Sequence, residues 1–87
     1  MILSFTITFG GIYEEQNNLH GAIDEYHLAL KIHPNFALAH QRLGTIYEKQ
    51  NNVDEAINEY RFALKTNPDL SESQNNLVRL DKARRLE

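Results

Sequence analysis

The chain resembles itself at an interval of 34 residues, and few features restrict a fold more tightly than an internal repeat. At this offset Gly10 falls on Gly44, Ile12 on Ile46, Tyr13 on Tyr47 and Glu14 on Glu48. Gln16-Asn17-Asn18 falls on Gln50-Asn51-Asn52, Ala22-Ile23 on Ala56-Ile57, and Glu25-Tyr26 on Glu59-Tyr60. Ala29-Leu30-Lys31 falls on Ala63-Leu64-Lys65, and Pro34 on Pro68. Fifteen of the 25 positions from Gly10 to Pro34 are identical, which excludes chance as the cause.

Within each copy the apolar residues recur at helical spacing: Leu19, Ala22, Ile23, Tyr26, Ala29 and Leu30, then Val53, Ala56, Ile57, Tyr60, Ala63 and Leu64. Ala39, Leu43, Ile46 and Tyr47 follow the same period, and the Gln-Asn-Asn segments between stripes are turn formers. Each unit therefore reads as helix, tight turn, helix. Pro34 and Pro68, which lack an amide donor, close each second helix. Asn35 and Asp69 are the expected caps of the helices that follow, with Asp69–Glu72 and Asn52–Glu55 as capping boxes. Gly21 stands where the second unit has Glu55, so the first turn is expected to be the weaker.

A 34-residue helical hairpin of this pattern resembles the tetratricopeptide repeat. Leu43-Gly44, Tyr47, Ala56, Tyr60, Ala63 and Pro68 fill the family's positions in one unit, and Phe9-Gly10, Tyr13, Ala22, Tyr26, Ala29 and Pro34 fill them in the other. The resemblance implies an all-α solenoid of helical hairpins in a single domain over residues 1–87. Repeat one covers about 3–34, with an atypical segment at 1–9, and repeat two covers about 37–68. Residues 70–86 start like a third unit but carry Val78 and Asp81 in place of Gly and Tyr. Leu70, Leu77, Leu80, Ala83 and Leu86 form one narrow stripe there, as expected of a capping helix with a polar outer face.

The N-terminal segment carries conflicting signals. Leu3, Phe5, Ile7 and Phe9 alternate with Ser4, Thr6 and Thr8, which is strand periodicity where the repeat requires a helix. Either neighbouring helices override the local preference or the segment is extended; a third alternative is that the chain is an excerpt from a longer solenoid. Ile2, Phe5, Ile7 and Phe9 cannot all face inward, so the sequence also points to self-association through this helix.

Composition removes most chemistry. The 87 residues include no cysteine, so there is no disulfide, thiolate zinc site or thiol nucleophile. A net charge of −3 creates no field that gathers nucleic-acid phosphates, although residues 1–30 carry −4 and residues 79–87 carry +2. The first residues lack the basic start and long apolar core of a signal peptide or membrane span, which leaves the cytoplasm as the default location. His20, His27, His33 and His40 contain no i, i+4 pair and read as surface residues. Glu14-Glu15 and Asp54-Glu55 point to different sides of a helix and do not converge as an acid–base pair. No phosphate loop or dinucleotide fingerprint appears. The expectation is a chain without catalytic residues, cofactor or metal, not an enzyme, with no nucleic-acid or membrane partner.

What remains is surface. The resemblance implies a concave groove lined by the first helix of each unit, seating a peptide or a partner protein. By repeat register the groove residues are Ile7, Gly11 and Glu14; Gln41, Arg42, Thr45 and Glu48; and Asn75, Asn76 and Arg79. Members of the family that clamp a chaperone's C-terminal carboxylate place Lys, Asn and Arg where this chain has Ile7, Gly11, Arg42, Glu72 and Asn76. None matches, so that clamp is not expected. The alternative to a peptide-binding module is a structural piece of a longer solenoid with no separate ligand.

Overall fold

The computed structural model describes the backbone of residues 2–85 and the side chains of residues 7–85. Five helices follow one another: α1 (Ile2–Glu15), α2 (Leu19–Ile32), α3 (Ala37–Lys49), α4 (Val53–Thr66) and α5 (Ser71–Arg85). The alternating N-terminal segment is helical, so the neighbouring helix prevails over local preference. The side chains of Ile2, Leu3 and Phe5, and all of Leu86, lie outside the described residues.

The two Gln-Asn-Asn turns close in the same way. Asn17 and Asn51 adopt left-handed backbone conformations, with φ of 58° and 60°. Asparagine tolerates this region better than any residue except glycine. Around the left-handed residue its own amide and the next one turn back onto the helix end. Asn18 N donates to Tyr13 O (2.7 Å) and Asn17 N to Glu14 O (2.9 Å), while Asn52 N donates to Tyr47 O (2.8 Å) and Asn51 N to Glu48 O (2.9 Å). These paired bonds satisfy carbonyls that a helix end otherwise leaves open.

The start of the second helix differs between the copies, and in the opposite sense to the sequence expectation. The Asn18 side chain accepts from Gly21 N (3.1 Å), whereas Asn52 makes no such bond. A Cβ at residue 21 would lie 2.9 Å from Asn18 Nδ2, so glycine leaves room for the asparagine to fold onto the backbone. The same glycine that lowers helix propensity thus permits the cap. Asn35 does not cap α3, whose N-cap is Phe36 and has no side-chain bond. Asp69 also falls short, because α5 begins at Ser71 and Gln74 N donates to Leu70 O (3.0 Å), making Leu70 the capping position. Asn18→Ala should therefore cost about 1 kcal/mol in a urea titration, while Asn52→Ala should cost clearly less.

Packing is closest within each hairpin, α1 on α2 and α3 on α4; α2 then joins α3, and α4 joins α5. The core falls into two clusters. Ala22, Tyr26, Leu43 and Ile46 form one, and Ala56, Ile57, Tyr60 and Leu80 the other, with half-buried Tyr47 packed against both. Leu43 and Ile46 are wholly buried, which contributes about 1.5–3 kcal/mol each. Gly10 and Gly44 are small for a direct reason: a Cβ at either would stand 2.6 Å from the ring of Tyr26 or Tyr60 respectively. Along α5, Leu80 is buried and Leu77 half-buried, whereas Ala83, expected in the same stripe, is exposed.

His40 departs from the expected surface histidines. It is buried, with Nδ1 2.7 Å from Glu59 Oε1 and Nε2 2.9 Å from Pro34 O, and its ring stacks on Phe62 at 5.1 Å. The bond to a carbonyl requires a proton on Nε2, so His40 ties the end of α2 to α3 and α4. His20, His27 and His33 are exposed. Among the described residues, no three His, Asp or Glu side chains converge as a metal site, and no helix is long and apolar enough to cross a membrane.

Candidate functional site

The candidate groove is lined by the inner helices α1, α3 and α5, and the carboxylates it presents are set by the tyrosines behind them. Tyr60, on α4, is wholly buried, yet its hydroxyl reaches forward and donates to Glu48 Oε1 at 2.6 Å. Arg79 Nη2, on α5, donates to Glu48 Oε2 at 2.6 Å. Glu48 thus links three helices. Burial first, and then the hydrogen bond and charge of Glu48, push the Tyr60 phenol well above its ordinary pKa. Asn76 joins the edge of this cluster, its Oδ1 3.4 Å from Arg79 Nη2.

The first layer repeats the arrangement with one difference. Tyr26 is buried on α2 and faces Glu14, and burial followed by the Glu14 carboxylate raises its pKa, while Arg42 acts in the opposite direction. Ile7, Gly11, Glu14, Glu15, Tyr26, Arg42 and Lys49 border a cleft of about 350 Å³ between α1 and α3, so two carboxylates and two cations share it. Ile7 packs in part against the first core cluster, so only its edge reaches the cleft. Gly11 opens it: a Cβ there would meet nothing within 4 Å. Arg42 is exposed and makes no ion pair among the described residues. Thr45 is turned aside, its hydroxyl donating to the Arg42 carbonyl at 2.7 Å.

The structure thus brings Glu48, Arg79 and Asn76 together in one layer and Ile7, Gly11, Glu14 and Arg42 in the other. Asn75 is exposed on α5, where it borders a shallow depression with Val78, Arg79 and Lys82. Gln41 does not belong with them. It is 4% exposed, accepts from Ser73 Oγ (2.9 Å) and donates to Glu72 Oε2 (2.9 Å), so it joins α3 to α5 and is not available to a ligand. The side of α3 carrying residue 41 is turned toward α5, where the wholly buried Ser73 receives it. Sequence reasoning missed Tyr26 and Tyr60 as supports of the groove carboxylates, and Lys49 as a residue of its border. Glu14 and Glu48 recur opposite the repeated tyrosines, and that pairing was the available signal. A depression of about 380 Å³ on the outer side, which includes Glu59, Arg61 and Phe62, is lined by α4 alone and is a furrow along one helix.

These features define a solenoid of helical hairpins with an open polar groove. Residues 37–70 match the family described as tetratricopeptide repeat, and residues 10–51 match a second family described as TPR repeat. The chain belongs to the tetratricopeptide repeat family. Its fold is similar to that of a solved structure, the first TPR of Spaghetti (RPAP3) bound to HSP90 peptide SRMEEVD, with a TM-score of 0.86 and 20% identity. The similarity covers 93% of this chain and 64% of that one, so this chain spans less than two-thirds of its neighbour's length. Among curated proteins, none matches this sequence significantly.

Proposed function

We propose that this chain is a non-catalytic protein-interaction module that binds an extended peptide or a partner segment in its concave groove. The observation that carries this is the cleft between α1 and α3, where Arg42 stands exposed without an ion pair among the described residues and Gly11 leaves space beside it. An unpaired guanidinium above an open cleft offers directed donors to a carboxylate or peptide carbonyl. The similar Spaghetti domain holds a peptide, which supports this class of partner. The ligand here differs from that acidic terminus, because Ile7, Gly11, Arg42, Glu72 and Asn76 do not reproduce the carboxylate clamp.

The test is selection of linear peptides from a displayed random library, followed by NMR titration. Arg42→Ala with Asn76→Ala should weaken the selected peptides by tenfold or more while leaving the helical circular-dichroism spectrum intact. Unchanged affinity, or amide shifts confined to α2 and α4, would move the site off the groove. A second reading is favoured by Phe9 and Ile12, which are 45% and 41% exposed on α1. On that reading α1 packs against another copy or a further repeat, and the chain is a structural piece of a larger assembly. Light scattering across a concentration range decides it: a dimer that dissociates together with loss of helicity favours assembly, and a folded monomer favours the groove.

A further inference from the structure

The two layers of the groove use the same residues but are completed differently. In the second layer Glu48 is satisfied twice, by Tyr60 on Oε1 and by Arg79 on Oε2, both at 2.6 Å. Thirty-four residues earlier stand Glu14 and Tyr26, and a Cβ at Gly10 would lie 2.6 Å from the Tyr26 ring, just as one at Gly44 would from Tyr60. The cation is not repeated. The position corresponding to Arg79 is Thr45, whose hydroxyl is spent on its own helix. Glu14 makes no ion pair among the described residues; the Tyr26 hydroxyl faces its carboxylate, but Oε1 is buried with no hydrogen-bond partner at ordinary hydrogen-bond geometry. Arg42 and Lys49 border the same cleft, but neither is within ion-pair distance of Glu14.

A buried carboxylate oxygen without a donor is costly, and folded proteins rarely keep one unless something else fills the position. The internal repeat indicates what fits, because the second layer displays the completed form. We infer that the peptide bound in the groove presents a Lys or Arg side chain to Glu14, taking there the place that Arg79 takes at Glu48. Gly11 supplies the entry for so long a side chain. Arg42 and Lys49 then receive an acidic group from the same peptide, so the recognised segment combines a basic residue with an acid. This deepens the groove reading and depends on it.

Peptides selected from a displayed random library against the folded chain should share Lys or Arg at one fixed position. A synthetic peptide carrying citrulline at that position should bind about tenfold more weakly than the same peptide carrying arginine, whose shape citrulline keeps without the charge. Glu14→Gln should bind both forms alike. Thr45→Arg supplies the missing cation internally, so it should raise the unfolding midpoint and remove the same preference. If peptides shift the α1 and α3 amides but show no basic preference, the groove reading stands and this inference fails. If Arg42→Ala lowers the unfolding temperature as much as Arg79→Ala does, Arg42 is itself the partner of Glu14 and the inference fails again. If no peptide shifts those amides, both fail together.

Discussion

Tyr60→Ala should cost about 3–5 kcal/mol, the largest loss expected from any single truncation in the chain. The ring is wholly buried in the second core cluster, with Gly44 shaped against one face and Ala56, Ile57 and Leu80 around it. Truncation removes the apolar burial, leaves a cavity between helices that contact only their neighbours, and deletes the 2.6 Å bond to Glu48. A domain of this size has about 5–15 kcal/mol in total, so the variant should unfold early in a urea titration followed by circular dichroism. Tyr60→Phe separates the two contributions. It retains the ring and removes only the hydroxyl, so it should cost about 1–2 kcal/mol, with Arg79 still holding the other Glu48 oxygen. A midpoint for Tyr60→Ala close to that of Tyr60→Phe would mean that the ring does not support the α3–α4–α5 packing.

The repeat made the helical-hairpin architecture legible because a 34-residue identity pattern applies the same packing constraints twice. Glycine opposite tyrosine, alanine at the close approach and asparagine in the turn can each be read from residue type. Rotation of a helix about its own axis was less legible. Gln41 shares a register column with Ile7 and Asn75, and those three residues are buried, half-buried and exposed in turn. What distinguishes Gln41 is Ser73 across the interface, and a contact 32 residues away leaves no local periodicity. His40 was missed for the same reason, since its partners Glu59 and Pro34 lie on other elements. The N-terminal alternation left helix and strand both open because it describes a 2-residue period over seven positions, and the helix prevails because Gly10 and Tyr13 anchor α1 against α2 with a helical one. The caps show a further limit. Propensity ranked Gly21 below Glu55 at the turn, but the cap depends on the space glycine leaves for Asn18.

Gly44→Val and Gly11→Ala should move stability in opposite directions, although both positions lie within the inner helix of a repeat. At Gly44 a Cβ would stand 2.6 Å from Tyr60 Cε1 and 2.8 Å from two further ring atoms. That ring is wholly buried and bonded to Glu48 at its far end, so it has nowhere to move without breaking the bond. The expected cost is about 3 kcal/mol, and it falls on the α3–α4 contact that carries the repeat. At Gly11 a Cβ would meet nothing within 4 Å, so alanine adds no clash and restricts the unfolded chain. Gly11→Ala should therefore stabilise by about 0.5–1 kcal/mol. The same added methyl reduces the space beside Glu14, so the more stable variant should bind groove peptides less well than the natural chain. On the proposed groove reading that opening is what Gly11 provides, and the two variants compared in one urea series and one peptide titration separate a packing role from a binding one.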